Sequence, residues 1–137
     1  LYAGSGALGL EALSRGAREV VFVDVEAAVS RHLVATLQML GCDRGRVIRS
    51  DARSFLAGAV EPFDIVFLDP PFSEPVLTED CRRIEASGWL APGGLVYLES
   101  PASAGPPELP DGWSLLKSKR AGEVGYHLAQ REPSAGQ

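Results

Sequence analysis

The chain has 137 residues, of which 45% are hydrophobic and 23% charged, with a formal net charge of -5. That length suits one α/β domain with its own core and is short for two. No apolar stretch approaches the roughly 20 residues of a membrane span, and no basic-then-apolar leader opens the chain, so a cytoplasmic, monomeric protein with no membrane association is expected.

The chain opens with Leu1-Tyr2-Ala3-Gly4, a glycine turn with almost no strand before it. Such a turn needs a preceding buried strand to hold it, so the first strand of the sheet is expected to be largely missing. Leu8 to Arg15 reads as a helix stopped by Gly16. Val20 to Val23 is a short continuous apolar run, as in a buried parallel strand, and Asp24 closes it. From Glu26 to Leu40, Ala28, Val29, Leu33, Leu37 and Leu40 make one helical stripe that Gly41 ends. Val47-Ile48, Phe63 to Leu68 and Leu95 to Leu98 give three further strands. Cys81 to Ser87 and the turn Ala91-Pro92-Gly93-Gly94 lie between the last two. Pro101 to Pro110 is rich in Pro, Ala and Gly and reads as a loop. Trp113 to Lys119 and Val124 to Ala129, joined across Ala121-Gly122, read as an antiparallel hairpin at the sheet edge. Alternating strands and helices predict a parallel sheet covered on both faces. The catalytic domain is expected over residues 1–130, N-terminally incomplete, with a flexible tail over 131–137.

Gly4-Ser5-Gly6-Ala7-Leu8-Gly9 is a G-x-G-x-x-G match that opens a helix, and Asp24 ends the next strand. The glycines let backbone approach a ligand closely, and a strand-end carboxylate can accept hydrogen bonds from ribose hydroxyls. This pattern indicates a nucleoside cofactor without saying which one. Asp69-Pro70-Pro71-Phe72 follows directly after the strand ending at Leu68, at the carboxyl edge where α/β sheets bind ligands. Two prolines fix φ near -65° and remove two N–H donors, leaving rigid carbonyls free to accept. A base amine could then donate one proton to Asp69 and another to a proline-segment carbonyl, aiming its lone pair at an electrophile. Phe72 offers a flat face for an extruded base.

Gly4 to Ala17, read with Asp69-Pro70-Pro71-Phe72 and the closing Arg120-Ala121-Gly122-Glu123-Val124-Gly125-Tyr126, resembles the RsmD-type bacterial methyltransferases. These modify a guanine N2 of 16S ribosomal RNA in the small subunit. The resemblance covers almost the whole chain. It implies a Rossmann-like seven-stranded methyltransferase sheet with a C-terminal antiparallel hairpin, and S-adenosylmethionine as cofactor. It further implies 16S rRNA or the small ribosomal subunit as partner. Ala3, Gly4, Ser5 and Gly6 would border the donor's methionine and ribose, Asp24 with Val25 would hold the ribose, and Asp51 with Ala52 would meet the adenine. Asp69, at the donor as well as the acceptor, would join Pro70, Pro71 and Phe72 in holding the target guanine. An acidic residue before the Leu-Tyr-Ala-Gly run and an upstream basic segment belong to the family pattern and are absent here.

Other side chains are less informative. Asp51 could equally cap the next helix, and Glu26 suits a first-turn acid. Neither His32 nor His127 has a sequence partner for metal or acid-base work. Cys42 and Cys81 show neither CxxC spacing nor a nearby histidine, so reduced thiols and no metal site are expected. Lys117, Lys119 and Arg120 form the basic cluster, suited to phosphate or to a charged edge strand. Residues 1–60 carry seven Arg against six acids, leaving six basic residues against twelve acids in 61–137, so the negative surplus is C-terminal. Rival readings are an adenine-N6 DNA methyltransferase, which shares the Asp-Pro-Pro-Phe motif, a nicotinamide oxidoreductase, which does not need it, and an inactive truncated donor-binding fragment.

Overall fold

The structure, a computed structural model, describes residues 1–4, 6–16, 18–70 and 77–133. They fall into two compact units, Leu1–Phe55 and Leu56–Gln137.

In the first unit, β1 (Val20–Asp24) pairs in parallel with β2 (Gly45–Arg49), from Val20 opposite Gly45 to Asp24 opposite Arg49. Helices α1 (Ala7–Ser14) and α2 (Ala27–Met39) precede and follow β1, and the short α3 (Ala52–Leu56) follows β2. The apolar stripes of both longer helices meet the strands in one core of Leu13, Phe22, Leu33 and Leu37, edged by Leu10, Val20, Val29 and Val47. Leu33 has no exposed surface, and burying such a side chain contributes about 1.5–3 kcal/mol. Two backbone bonds stitch the chain beyond the helices: Ala3 N–H donates to the Val23 carbonyl at 2.9 Å, and Ser50 N–H to the Asp24 carbonyl at 2.9 Å. They bring the glycine bend and the Ser50-Asp51 segment to the carboxyl end of β1.

In the second unit the strands are β3 (Phe63–Leu68), β4 (Leu90–Pro101), β5 (Trp113–Ala121) and β6 (Val124–Arg131), in the order β3-β4-β6-β5. Helix α4 (Leu77–Ser87) makes the crossover between parallel β3 and β4, whereas β6 runs antiparallel to both β4 and β5. Along β4 and β6 side chains alternate between buried and half-buried positions. One face therefore carries Val96, Leu98, Ser100, His127 and Ala129, and the other Tyr97, Glu99, Tyr126 and Leu128.

Several expectations need correction. The α/β class and the C-terminal antiparallel hairpin hold, but six strands stand among the described residues, two in the first unit and four in the second, where the resemblance implied seven. Ala91 to Gly94 is a bulge inside β4 rather than a separate turn. The register steps from Phe63 opposite Leu90 to Ile65 opposite Leu95, so β4 spends three extra residues there. The bulged backbone is satisfied by the far end of the chain: Gln130 Nε2 donates to the Gly93 carbonyl at 3.0 Å and Gly93 N–H to the Glu132 carbonyl at 3.4 Å. For the same reason Arg131, expected to begin a tail, ends β6 and is anchored. Its guanidinium donates to Glu85 Oε1 at 3.0 Å and to the Leu90 carbonyl at 2.9 Å. The Pro101 to Pro110 segment begins with the last residue of β4 and one 3-10 turn, Ala102–Ala104.

On the buried face of the four-stranded sheet, His127 bridges three strands. Its Nε2 lies 2.9 Å from Ser100 Oγ on β4 and its Nδ1 lies 2.9 Å from Ser118 Oγ on β5. Ser100 Oγ donates its proton to the Gly105 carbonyl at 2.9 Å. A hydroxyl has one proton, so His127 donates from Nε2, and the neutral ring then accepts at Nδ1 from Ser118 Oγ. Burial lowers its pKa from the ordinary 6.5. The unfolded state then takes up a proton that the folded state refuses, so this stabilisation is full above pH 6.5 and is lost as pH falls from there toward the depressed native value. The urea midpoint at pH 5.5 should thus lie below that at pH 7.5, and His127→Ala should shrink that difference while costing about 1–3 kcal/mol at pH 7.5. Equal pH dependence in both proteins would count against the clamp.

Candidate functional site

The glycine bend is built by backbone geometry and one carboxylate. Gly6, with φ of 80°, precedes α1 as its cap, and its N–H closes a turn on the Ala3 carbonyl at 2.8 Å. A Cβ on Gly6 would stand 2.3 Å from Leu33 Cδ2, so glycine is demanded there by both conformation and packing. Gly4 has φ of 55°, but a Cβ there would meet nothing within 4 Å. The bend therefore leaves open space at Gly4 and is backed by the core at Gly6. Tyr2, with φ of 59°, enters the bend in a left-handed conformation that costs a side-chain-bearing residue about 1–2 kcal/mol. Strain of this kind gathers where a binding loop is held open.

Asp24 ties the bend to the strand end. Its Oδ2 accepts from Gly4 N–H at 3.1 Å, and its Oδ1 accepts from Glu26 N–H at 3.0 Å, just before α2. A carboxylate offers about four acceptor positions. Among the described residues two of these hold backbone N–H groups, which leaves one on each oxygen for hydroxyl donors. Val25, exposed, presents its carbonyl to Arg49 Nε at 3.2 Å. Beside it Asp51 opens α3, its Oδ1 accepting from Ser54 N–H at 2.8 Å and its Oδ2 from Ser54 Oγ at 2.9 Å. Those two bonds hold the Asp51 carboxyl below the usual carboxylate range. It is a helix cap, with spare acceptor capacity, and Ala52 behind it is buried.

In the second unit, Asp69 and the buried Pro70 follow the carboxyl end of β3. Although the Asp69 side chain reaches solvent, the protein packed around it withdraws enough water to hold its carboxyl above the ordinary 3.8. Next to it on the half-buried sheet face, Phe67 and Tyr97 meet edge to face with ring centroids 6.1 Å apart, and Tyr97 and Tyr126 stand 6.3 Å apart. Burial, then the charge of Asp69, also raises the Glu99 carboxyl. The Tyr97 phenol is pushed up to about 12 by burial, followed by Glu99, Tyr126 and Asp69.

Of the residues singled out from sequence, Ala3, Gly4, Gly6, Asp24, Val25, Asp51 and Ala52 converge at the carboxyl ends of β1 and β2 in the first unit. Asp69 and Pro70 stand at the corresponding end of β3 in the second. Ser5, Pro71 and Phe72 lie outside the described residues. Sequence reasoning passed over Glu99. The available signal was a carboxylate two residues from Tyr97 on a strand otherwise apolar from Leu95 to Leu98.

A glycine bend tied to the terminal carboxylate of the strand that follows, with a helix backed onto that bend, is the arrangement with which α/β proteins seat nucleoside cofactors. Residues 1–130 match the family model described as Conserved hypothetical protein 95. Ribosomal RNA small subunit methyltransferase D of Escherichia coli K12 is 47% identical over 131 residues, 96% of this chain and 66% of that protein. The protein of the same description from Haemophilus influenzae is 38% identical over 94% of this chain and 68% of its own length. The solved structure of yhhF from Escherichia coli superposes with a TM-score of 0.92 at 47% identity, covering 97% of this chain and 75% of that one. The chain thus spans about two thirds of the length of the curated relatives it matches. It belongs to the family of ribosomal RNA small subunit methyltransferase D.

The two glycines should respond differently to alanine. Gly6→Ala meets both the left-handed backbone, about 1–2 kcal/mol, and overpacking against Leu33, about 1–3 kcal/mol. Gly4→Ala meets the backbone cost alone, yet places a methyl group in the open space in front of the bend. Urea unfolding should rank Gly6→Ala as the less stable variant, while calorimetry with a nucleoside donor should show at least a tenfold weaker affinity for Gly4→Ala. A Gly4→Ala protein that binds as tightly as the parent would show that the bend is only a turn.

Proposed function

We propose that this chain is the catalytic part of an S-adenosylmethionine-dependent methyltransferase that acts on the exocyclic N2 of a guanine in small-subunit ribosomal RNA. The observation that carries the reading is Asp69-Pro70 at the carboxyl end of β3, beside the half-buried aromatic face. A hydride-transferring enzyme has no use for that corner. Membership of the methyltransferase D family supports the same choice over the DNA-modifying alternative.

The residues of the first unit fit the donor. Gly4 leaves backbone-level open space, Asp24 keeps two acceptor positions for a pair of ribose hydroxyls, and Asp51 with Ala52 borders the adenine. Ala3, Ser5, Gly6 and Val25 complete that cradle in this reading. When bound, S-adenosylmethionine supplies a methyl on a sulfonium, and the carbon–sulfur bonding pair leaves with sulfur as the new carbon–nitrogen bond forms.

The protein's own work lies on the acceptor side. The Asp69 carboxylate accepts one N–H of the amine and the Pro70 carbonyl the other, which draws the nitrogen lone pair out of conjugation and toward the methyl. The nitrogen sheds one proton after transfer. Asp69, held more basic than a free carboxylate, is placed to receive it. Pro71 and Phe72 would extend the same grip on the base. Positioning is the main source of rate, because the sulfonium needs no activation.

In the full-length protein, Asp69→Ala should lower methyl transfer to small ribosomal subunits by at least a hundredfold while donor affinity stays within about threefold. Transfer by the unaltered protein should fall as pH drops through the raised Asp69 value, since the protonated acid no longer accepts. Near-parental turnover of Asp69→Ala, measured as labelled methyl incorporated into RNA, would remove Asp69 from the mechanism.

A further inference from the structure

Across the half-buried face of the second unit, four side chains stand in one row from four adjacent strands. Leu68 lies opposite Leu98, so Asp69 comes level with Glu99; Glu99 lies opposite Tyr126; and Tyr126 lies opposite Lys119. Directly opposed residues share a face, and His127 and Ser118, paired with each other on the reverse face, fix the phase of the alternation. The row below it is Phe67, Tyr97, Leu128 and Lys117 by the same registers. At about 4.8 Å per strand, the upper row spans roughly 14 Å.

The chemistry along this row is ordered: two carboxylates, then a phenol, then an ammonium at the exposed edge strand. The charge of Asp69 raises the cost of ionising Glu99 across adjacent strands, and among the described residues no salt bridge ties either carboxylate to a side-chain cation. Two partly desolvated acceptors at neighbouring register positions are relieved by a ligand with two adjacent N–H donors. The Watson–Crick edge of guanine has that arrangement, with N1–H beside the N2 amine. A nucleotide also continues from its base through a sugar to a phosphate, and along the row the acids give way to Tyr126 and then to Lys119.

We propose that this row is the track that seats the target nucleotide, with Glu99 accepting the N1–H of the base, Tyr126 supporting the nucleoside, and Lys119 pairing with a backbone phosphate. The assignment rests on the reading of the chain as an RNA guanine methyltransferase. It adds to that reading a base-selecting residue, Glu99, distinct from Asp69, and a phosphate contact at a defined place on β5. Glu99 makes the enzyme selective because an unprotonated N1, as in 2-aminopurine, would set a ring acceptor against a carboxylate.

The test uses the full-length protein and two RNA hairpins that differ only in carrying guanine or 2-aminopurine at the target position. Glu99→Gln should lower kcat on the guanine hairpin at least tenfold with the KM for donor unchanged. It should also shift the guanine to 2-aminopurine preference at least tenfold toward 2-aminopurine, since the new amide can donate to N1. Lys119→Ala should raise the KM for RNA about five- to thirtyfold with kcat near the parental value, and should lower the slope of log affinity against log salt by about 1. Lys119→Arg should restore both. Lys119 is exposed, so its variants remain informative even where Glu99→Gln fails to fold. Unchanged base preference in a folded Glu99→Gln protein, or an unchanged salt slope in Lys119→Ala, overturns the track while parental methyl transfer upholds the underlying reading. A parental protein that methylates neither hairpin nor small subunits overturns both.

Discussion

The hydrogen bond from Gly4 N–H to Asp24 Oδ2 carries much of the first unit's organisation. A glycine bend in the left-handed region has little intrinsic preference for one path, and glycine loses more conformational entropy on ordering than any other residue. A carboxylate at the end of β1 resolves that freedom by accepting from the bend with one oxygen and from the start of α2 with the other. Charge-assisted bonds to backbone N–H groups are among the stronger ones available. The same residue that is suited to a ribose is thus also the one that shapes the loop over it. At Asp24 the bonds to backbone and the spare acceptor positions belong to one carboxylate, whereas at Gly4 the backbone is constrained and the space in front of it is free.

In the second unit the two faces of one sheet do different work. Ser100, His127 and Ser118 join three strands on the buried face through a satisfied, neutral network, and Val96, Leu98 and Ala129 pack beside it. The opposite face carries the acids and aromatics. Strand alternation keeps these functions apart at a spacing of one residue: Leu98 and Ser100 are buried while Glu99 between them is half-exposed. Substitution on one face therefore leaves the packing of the other largely intact.

Much of this was legible in the sequence because it lies on local signals. The glycine bend, the apolar runs of β1 and β3, the stripe of α2 and the β5–β6 hairpin each depend on a few neighbouring residues, although the hairpin turns at Gly122-Glu123, one residue later than the expected Ala121-Gly122. What escaped prediction depends on distant ones. The Ala91 to Gly94 bulge reads as a turn until Gln130 and Glu132 return to satisfy its backbone, and Arg131 reads as tail until Glu85 and the Leu90 carbonyl anchor it. The Asp51 cap is a local signal, an acid three residues before Ser54, yet the helix α3 that it caps is only five residues long and too short to show a period. Glu99 becomes notable only through the cross-strand register that places it between Asp69 and Tyr126, and no periodicity within β4 reveals that.

Strand β5 is the outermost of its sheet and is exposed along nearly its whole length, with Leu115 and Leu116 facing solvent. An edge of that kind can recruit a strand from another molecule, and lysine is one of the usual safeguards. Lys117 and Lys119 stand guard on such an edge. If phosphate occupies Lys119 while RNA is held, the same positive charge alternates between gripping RNA and keeping copies of the protein apart. Edge protection and substrate grip then draw on one side chain, and neither is easily tuned without disturbing the other.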